Sequence, residues 1–223
     1  MDSIVRGIVL KTVNYKEADK IASIFTLEEG IIPAKFTGVR RDKAKLKAMS
    51  QPFSFCEFGI NKSKEHRTIT SASPIDLFNN ILIEYNRMMC GYIVLDMVRS
   101  IVPEEKPEPE LFLQTINSLK NIETNEPLSA TIDYILKFMY YSGVGLVFPE
   151  SSYVYLSRAS GEFSTNRDEF SYEVDKRVYD TLRNLNNGEV VESNPKILTQ
   201  ILKMLHNIIY AKFNVEISSF GFI

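Results

Sequence analysis

Three observations predict an α+β chain: an N-terminal five-stranded barrel of the oligonucleotide/oligosaccharide-binding type (OB-fold), then an all-helical body with a small hairpin insertion. From Ile4 to Ile75 apolar residues alternate with polar ones among β-formers, in five short runs. After Ser73-Pro74 the apolar spacing changes to the helical period of about 3.6. Between the third and fourth helical runs, Phe148 to Phe170 has the layout of a β-hairpin. The boundaries that follow are 1–75 for the barrel and 76–223 for the helices, with the insertion at about 146–171. Five strands alone also fit an SH3-like barrel.

The strands are expected at Ile4–Val13, Lys20–Leu27, Ile31–Phe36, Phe53–Ile60 and Arg67–Ala72. Turns fall at Asn14 to Asp19, at Glu28-Glu29-Gly30 and at Asn61 to Glu65. Ser73 reads as an N-cap with Pro74 in the first helical position. The stripe Phe78, Leu82, Tyr85, Met89, Tyr92 and Val98 then predicts a helix that ends before Pro103. Further helices are expected over Glu110–Ile122, over Pro127–Ser142 with Gly143 as the stop, and over residues 172–186. The last, Pro195–Phe213, is apolar on more than one face and so should be the central helix of the body.

Composition narrows the class. Hydrophobic residues make up 44% and aromatic residues 11%, enough for a real core. No apolar run approaches the ~18–20 residues that span a bilayer, so no membrane role is expected. The start, Met1 to Gly7, lacks the charged-then-apolar layout of a signal peptide. Two cysteines, Cys56 and Cys90, fit a cytoplasmic protein with free thiols. The net charge of −2 conceals an asymmetry, because residues 1–72 hold 13 Lys/Arg against 8 Asp/Glu while 73–223 hold 13 against 20. A basic front on an acidic body points to an anionic ligand taken by the front.

The basic charge concentrates between Gly30 and Phe53, where Lys35, Arg40, Arg41, Lys43, Lys45 and Lys47 occur with one acid, Asp42. The first half reads as a strand, and the second is too cationic to pack, so it should be a solvated loop or short helix. A cationic loop leaving a strand of a small β-barrel suits a phosphate backbone. Lys11, Lys16, Lys20, Lys62, Lys64 and Arg67 could extend the track, or be solvated strand ends. Of the aromatic residues, Phe36 beside Lys35 is the first candidate for stacking on a base and Tyr15 the second.

Catalytic signals are weak. His66 and His206 lie far apart without an evident partner, and Gly143-Val144-Gly145 follows a helix rather than a strand. Ser193-Asn194-Pro195-Lys196 reads as a helix start. Two scattered cysteines do not make a metal site. Neither an enzyme, nor a cofactor, nor a metal is expected.

Several short motifs then fall in a particular order: Asn14-Tyr15-Lys16-Glu17-Ala18-Asp19-Lys20-Ile21, Phe25-Thr26, Gly30, Ala34-Lys35-Phe36-Thr37-Gly38-Val39-Arg40-Arg41 and Gln51-Pro52-Phe53. This resembles the amino-terminal pattern of the bacterial RecO family of DNA repair proteins, over about the first 75 residues. The resemblance implies a recombination mediator that binds single- and double-stranded DNA and anneals complementary strands. It also implies RecR as a partner, contact with the tail of single-stranded-DNA-binding protein, and indirect help to RecA on gapped DNA. The family's cationic barrel loop falls on Lys35, Arg40, Arg41, Lys43, Lys45 and Lys47. Many members carry a four-cysteine zinc module between the third and fourth helices. Here that interval has no cysteine, with Ser164 and Arg167 where the second pair would stand, so the expectation is a zinc-free hairpin held by Tyr153, Tyr155, Leu156 and Phe163. Arg87, Arg99 and Lys137 are candidates to receive an acidic tail. Two other classes fit the same residues: an RNA-binding accessory protein on the same barrel, and a protein scaffold whose basic loop serves solubility.

Overall fold

The computed structural model describes residues 2–62, 67–151, 153–189, 191 and 194–222. Strands β1 (Asp2–Tyr15), β2 (Asp19–Thr26), β3 (Gly30–Phe36), β4 (Phe55–Lys62) and β5 (Arg67–Asp76) close into a barrel in the order β1-β2-β3-β5-β4. The strand order decides between the two barrel types. β3 meets β5 in parallel at Lys35↔Thr68 and Phe36↔Ile69, whereas the other pairs are antiparallel and β1 closes on β4. That is the OB-fold arrangement.

Alternation builds the core: Val5 and Val9, Ala22 and Ile24, Ile32, Ala34 and Phe36, and Cys56, Phe58 and Ile60 all point inward. The pairing of β1 with β2 slips between Val9 and Lys11, a bulge that bends the long first strand around the barrel. Outside β3, Glu105 N–H donates to Ile31 O at 3.0 Å, so residues 104–106 lie along the strand. Gly30 has φ +73°, and a Cβ there would fall on the Lys106 backbone, so both conformation and space require glycine.

The helices are α1 (Tyr85–Ile101), α2 (Pro109–Thr124), α3 (Pro127–Tyr141), α4 (Lys176–Asn186) and α5 (Pro195–Phe213). The chain divides into two compact units, 1–83 with 95–117, and 84–94 with 118–223. In the first unit, Phe112 of α2 lies edge-on to Phe25 at 5.3 Å and to Phe55 at 5.9 Å. In the second, α5 packs against α3 and α4 along one wide face of Leu198, Ile201, Leu202, Met204, Leu205, Ile208 and Ile209. Gln200, Lys203, Asn207 and Tyr210 are exposed, so the helix is not enclosed on all sides as its sequence suggests. The C-terminal residues Ser218–Phe222 form a 3-10 turn that returns to α5, with Phe220 stacked on His206 at 4.6 Å and 9°.

Three boundaries differ from the sequence expectation. Ser73-Pro74 does not start a helix, because β5 continues through Pro74 to Asp76, opposite Cys56 and Phe55. At Pro74 β5 has a neighbour only on its β4 side, so the missing N–H of proline costs no ladder bond. Phe78 is fully buried but sits at φ 45° ahead of a 3-10 turn, and α1 begins only at Tyr85. The fourth helix starts at Lys176 rather than at 172, because Ser171–Glu173 is strand.

That strand belongs to the insertion, where β6 (Tyr155–Ser157) pairs with both β7 (Phe163–Ser164) and β8 (Ser171–Glu173). The hairpin is thus a three-stranded sheet. Leu156 is buried in it and Phe163 stacks on Phe148 at 5.4 Å, with Tyr179 of α4 edge-on to Phe163 at 5.2 Å. The Tyr179 hydroxyl donates to Pro149 O at 2.6 Å, and burial raises its pKa. Tyr153, expected to hold the hairpin, is 63% exposed instead. Phe148 and Tyr179 take its place.

Asp175 caps α4, accepting hydrogen bonds from Arg177 N at 2.9 Å and Val178 N at 3.3 Å. Asp175→Ala is expected to cost about 1 kcal/mol, the usual loss when a capping side chain is removed. Chemical denaturation checks this, and a cost below about 0.3 kcal/mol would mean the cap is dispensable. Among the described residues no helix is long and apolar enough to cross a membrane.

Candidate nucleic-acid interface

The segment after β3 folds as a succession of turns, not as a free loop. Arg41 N–H donates to Gly38 O, Ala44 N–H to Arg41 O and Lys47 N–H to Ala44 O, and a 3-10 turn over Ala48–Ser50 follows. Ser54 Oγ closes it by donating to Ala48 O at 3.0 Å. Three apolar residues among the cations fasten it to the barrel: Val39 is buried, and Leu46 and Met49 pack against the core from above. Their side chains turn inward, which turns Arg40, Arg41, Lys43, Lys45 and Lys47 to solvent, where all five are exposed. The segment is therefore a held display of charge, whose backbone has little ordering entropy left to lose on binding.

The β1–β2 turn meets it. Gly38, at φ +68°, gives its N–H to Asp19 Oδ1 at 2.8 Å, and Arg40 N–H donates to Ala18 O at 2.9 Å. The Arg40 guanidinium donates to Lys16 O at 3.1 Å, and Lys20 Nζ donates to Gln51 Oε1 at 3.2 Å. Lys16 and Lys20 thereby join the loop's cations. The pKa of Lys20 is lowered, first by burial and then by the nearby charges of Arg40 and Lys47. The folded chain holds the Lys20 proton less firmly than the unfolded chain. The patch therefore costs stability while Lys20 is charged, and that cost fades as pH rises through its lowered pKa. An anion placed among these groups removes the repulsion and raises the pKa again.

Lys35 is half-buried on the outer side of β3, opposite Ile21 on one neighbour and Thr68 on the other. Among the described residues, no carboxylate lies within ion-pair distance of Lys35, Arg40, Arg41, Lys43, Lys45, Lys47, Lys16 or Lys20. The β2–β3 turn, at the other end of β2, is different. Its Glu28 pairs with Arg6 at 3.2 Å, and its Glu29 with Lys62 at 2.6 Å and Arg67 at 3.7 Å. Arg67 also reaches Glu105 at 2.7 Å. Lys62 and Arg67 are thus occupied, and Lys64 lies outside the described residues, as does His66.

The two aromatic candidates differ in exposure. Phe36 is fully buried, edge-on to Phe58 at 6.0 Å in the barrel core, so it has no face to offer a base. Its parity with Ile32 and Ala34, rather than with Lys35, decides this. Tyr15 ends β1 at 36% exposure, and the Lys16 ammonium stands over its ring at 5.3 Å.

The helix cations and motifs singled out in the sequence have partners or roles of their own in the fold. Arg87 is engaged by Glu84 at 2.8 Å and by Ile122 O and Asn125 O. Arg99 and Lys137 pair with Asp96 and Asp133 one helical turn back. Gly143, at φ +75°, ends α3, and Asn194 caps α5 by accepting from Lys196 N. Burial pushes the thiols of Cys56 and Cys90 up to about 11. Among the described residues no three His, Cys, Asp or Glu side chains converge on a point where a metal could sit.

Comparison with known proteins agrees with the architecture. Residues 1–78 match the model described as recombination protein O N terminal, and residues 83–213 that of recombination protein O C terminal. A DNA repair protein RecO of Desulfitobacterium hafniense is 29% identical over 137 residues, 61% of this chain and 50% of its own length. RecO proteins of Caldicellulosiruptor saccharolyticus and Caldicellulosiruptor bescii are 32% identical over 139 residues and 31% over 146, covering 62% and 65% of this chain. The chain spans between half and three fifths of the length of these relatives, with 57% and 60% of the latter two covered. Matched over both parts, with an OB-fold barrel ahead of the helices, the chain belongs to the recombination protein O family.

Proposed function

We propose that this chain is a non-catalytic DNA repair and recombination mediator that acts in the cytoplasm. It binds single- and double-stranded DNA through the phosphates, anneals complementary strands and assists RecA on gapped DNA. In this reading residues 1–75 carry the DNA. The helical part, 76–223 with its insertion at about 146–171, receives RecR and the tail of single-stranded-DNA-binding protein. Family membership supports the reading, and one observation carries the DNA half of it: the barrel's loop and first turn present Lys16, Lys20, Arg40, Arg41, Lys43, Lys45 and Lys47 without carboxylate partners among the described residues.

The physical mechanism is counterion release. Each cation that meets a phosphate frees a condensed ion, so affinity falls steeply with salt and depends little on sequence. Two strands neutralised in this way no longer repel one another, which lets complementary bases find each other.

A salt series with a labelled single strand, read by fluorescence anisotropy, tests this. The wild type should bind with a steep slope, and Lys35→Ala/Arg41→Ala should flatten the slope of log K against log salt by about 1.4, roughly 0.7 for each lost phosphate contact on a single strand. The same variant should anneal complementary strands more slowly. An unchanged slope would remove the loop from the interface, and a strong preference for RNA of equal length would favour an RNA-binding role.

A further inference from the structure

Barrels of this type that bind single strands commonly do so by stacking bases on aromatic side chains while cations follow the backbone. Among its described residues the first unit has the cations without the platforms. All seven of its phenylalanines are buried, none more than 9% exposed, and each is committed to the barrel or to its packing. Phe36 and Phe58 face each other inside the barrel, and Phe25 and Phe55 are covered by Phe112. The turns that carry the cations, residues 37–52, contain no aromatic residue.

Two rows of the outer sheet surface beside them are likewise without a ring. Val13, Ile21 and Lys35 form one cross-strand row on β1, β2 and β3, and Lys11, Ser23 and Pro33 form the next. Tyr15 is the one exposed ring of the unit among the described residues, and the Lys16 ammonium already stands over it. That contact gives one face of the ring to a cation.

We infer that the barrel recognises the sugar-phosphate chain alone, and that the bases contribute nothing to its affinity. The inference rests on the reading of the barrel as a DNA-binding module and specifies what that module takes: a flexible phosphodiester chain, with or without bases. The bases of a bound strand are then left free to pair. A duplex, which shows the same phosphates, competes for the same patch.

The test compares two labelled chains of equal length on the full protein at moderate salt. One is oligo(dT); the other has an abasic tetrahydrofuran unit at every position. The two are expected to bind within about threefold of each other, with the same salt slope, since equal numbers of phosphates are met. Tyr15→Leu should lower both affinities by the same factor, through the loss of the ring that holds Lys16. Abasic chain that binds about tenfold or more weakly than oligo(dT) would overturn the inference, because that is the scale of one base stacked on a ring. A loss on Tyr15→Leu confined to oligo(dT) would also overturn it and put a base on that ring. If oligo(dT) itself does not bind, the DNA reading of the barrel fails and this inference with it.

Discussion

Replacing Lys43, Lys45 and Lys47 together by alanine is expected to weaken single-strand binding about a hundredfold at about 0.1 M salt, since each lost contact removes about 0.7 from the slope of log K against log salt. Replacing Arg6, Lys62 and Lys106 removes the same formal charge from the same unit, yet should weaken binding by less than about threefold. The difference lies in what each cation already faces. Arg6, Lys62 and Lys106 stand 3.2, 2.6 and 2.6 Å from Glu28, Glu29 and Glu108, so a phosphate would have to displace a carboxylate to reach them. Lys43, Lys45 and Lys47 face water, fixed in direction by the turns below them. Neither triple variant should melt below the wild type by more than a few degrees. The exposed ion pairs lost in one contribute little. The lysines lost in the other have no carboxylate partner among the described residues, and one of them repels Lys20. Equal losses from the two variants would mean that net charge alone attracts the strand and that no particular surface binds it.

The contrast also shows how far the sequence could be read. The loop's cations are plain in the string of residues, since nothing but solvent or an anion tolerates such a run. Its anchors are not plain. Val39, Leu46 and Met49 are spaced irregularly among charges, and only the order of the turns shows that they face the barrel together. Likewise, the identity of Lys16 and Lys20 as members of the patch depends on the β1–β2 turn meeting residue 40 and residue 51, a contact between distant parts of the chain.

Alternation told that β3 has two faces but did not tell which was inside. Phe36 stands beside Lys35, and an aromatic next to a lysine on a strand looks like a binding pair. On a pleated strand, however, neighbours point to opposite faces, so an outward Lys35 puts Phe36 in the core. Pro74 misled for a related reason. Proline suits both a first helical position and an unpaired strand edge, and only the course of β3, which leaves β5 after Ile69, shows which applies.

Phe112→Ala is expected to destabilise the first unit by about 3–5 kcal/mol, the usual cost of removing a buried aromatic ring. Phe112 is 1% exposed and edge-on to both Phe25 and Phe55, two rings that alternate out of the barrel rather than into it. A bare barrel would expose both to water. The residue that covers them arrives from α2, after the chain has left the barrel and made α1. The unit that unfolds together should therefore include residues 95–117, and the barrel sequence alone is an incomplete fold. Urea denaturation of Phe112→Ala, followed by the near-ultraviolet signal of the barrel tyrosine and phenylalanines, measures the loss. A cost below about 1 kcal/mol would mean that Phe25 and Phe55 repack without their cover. A cost in the expected range makes α2 part of the proposed DNA-binding unit in the energetic sense. Cations displayed on the barrel would then keep their geometry only as long as the helix stays docked.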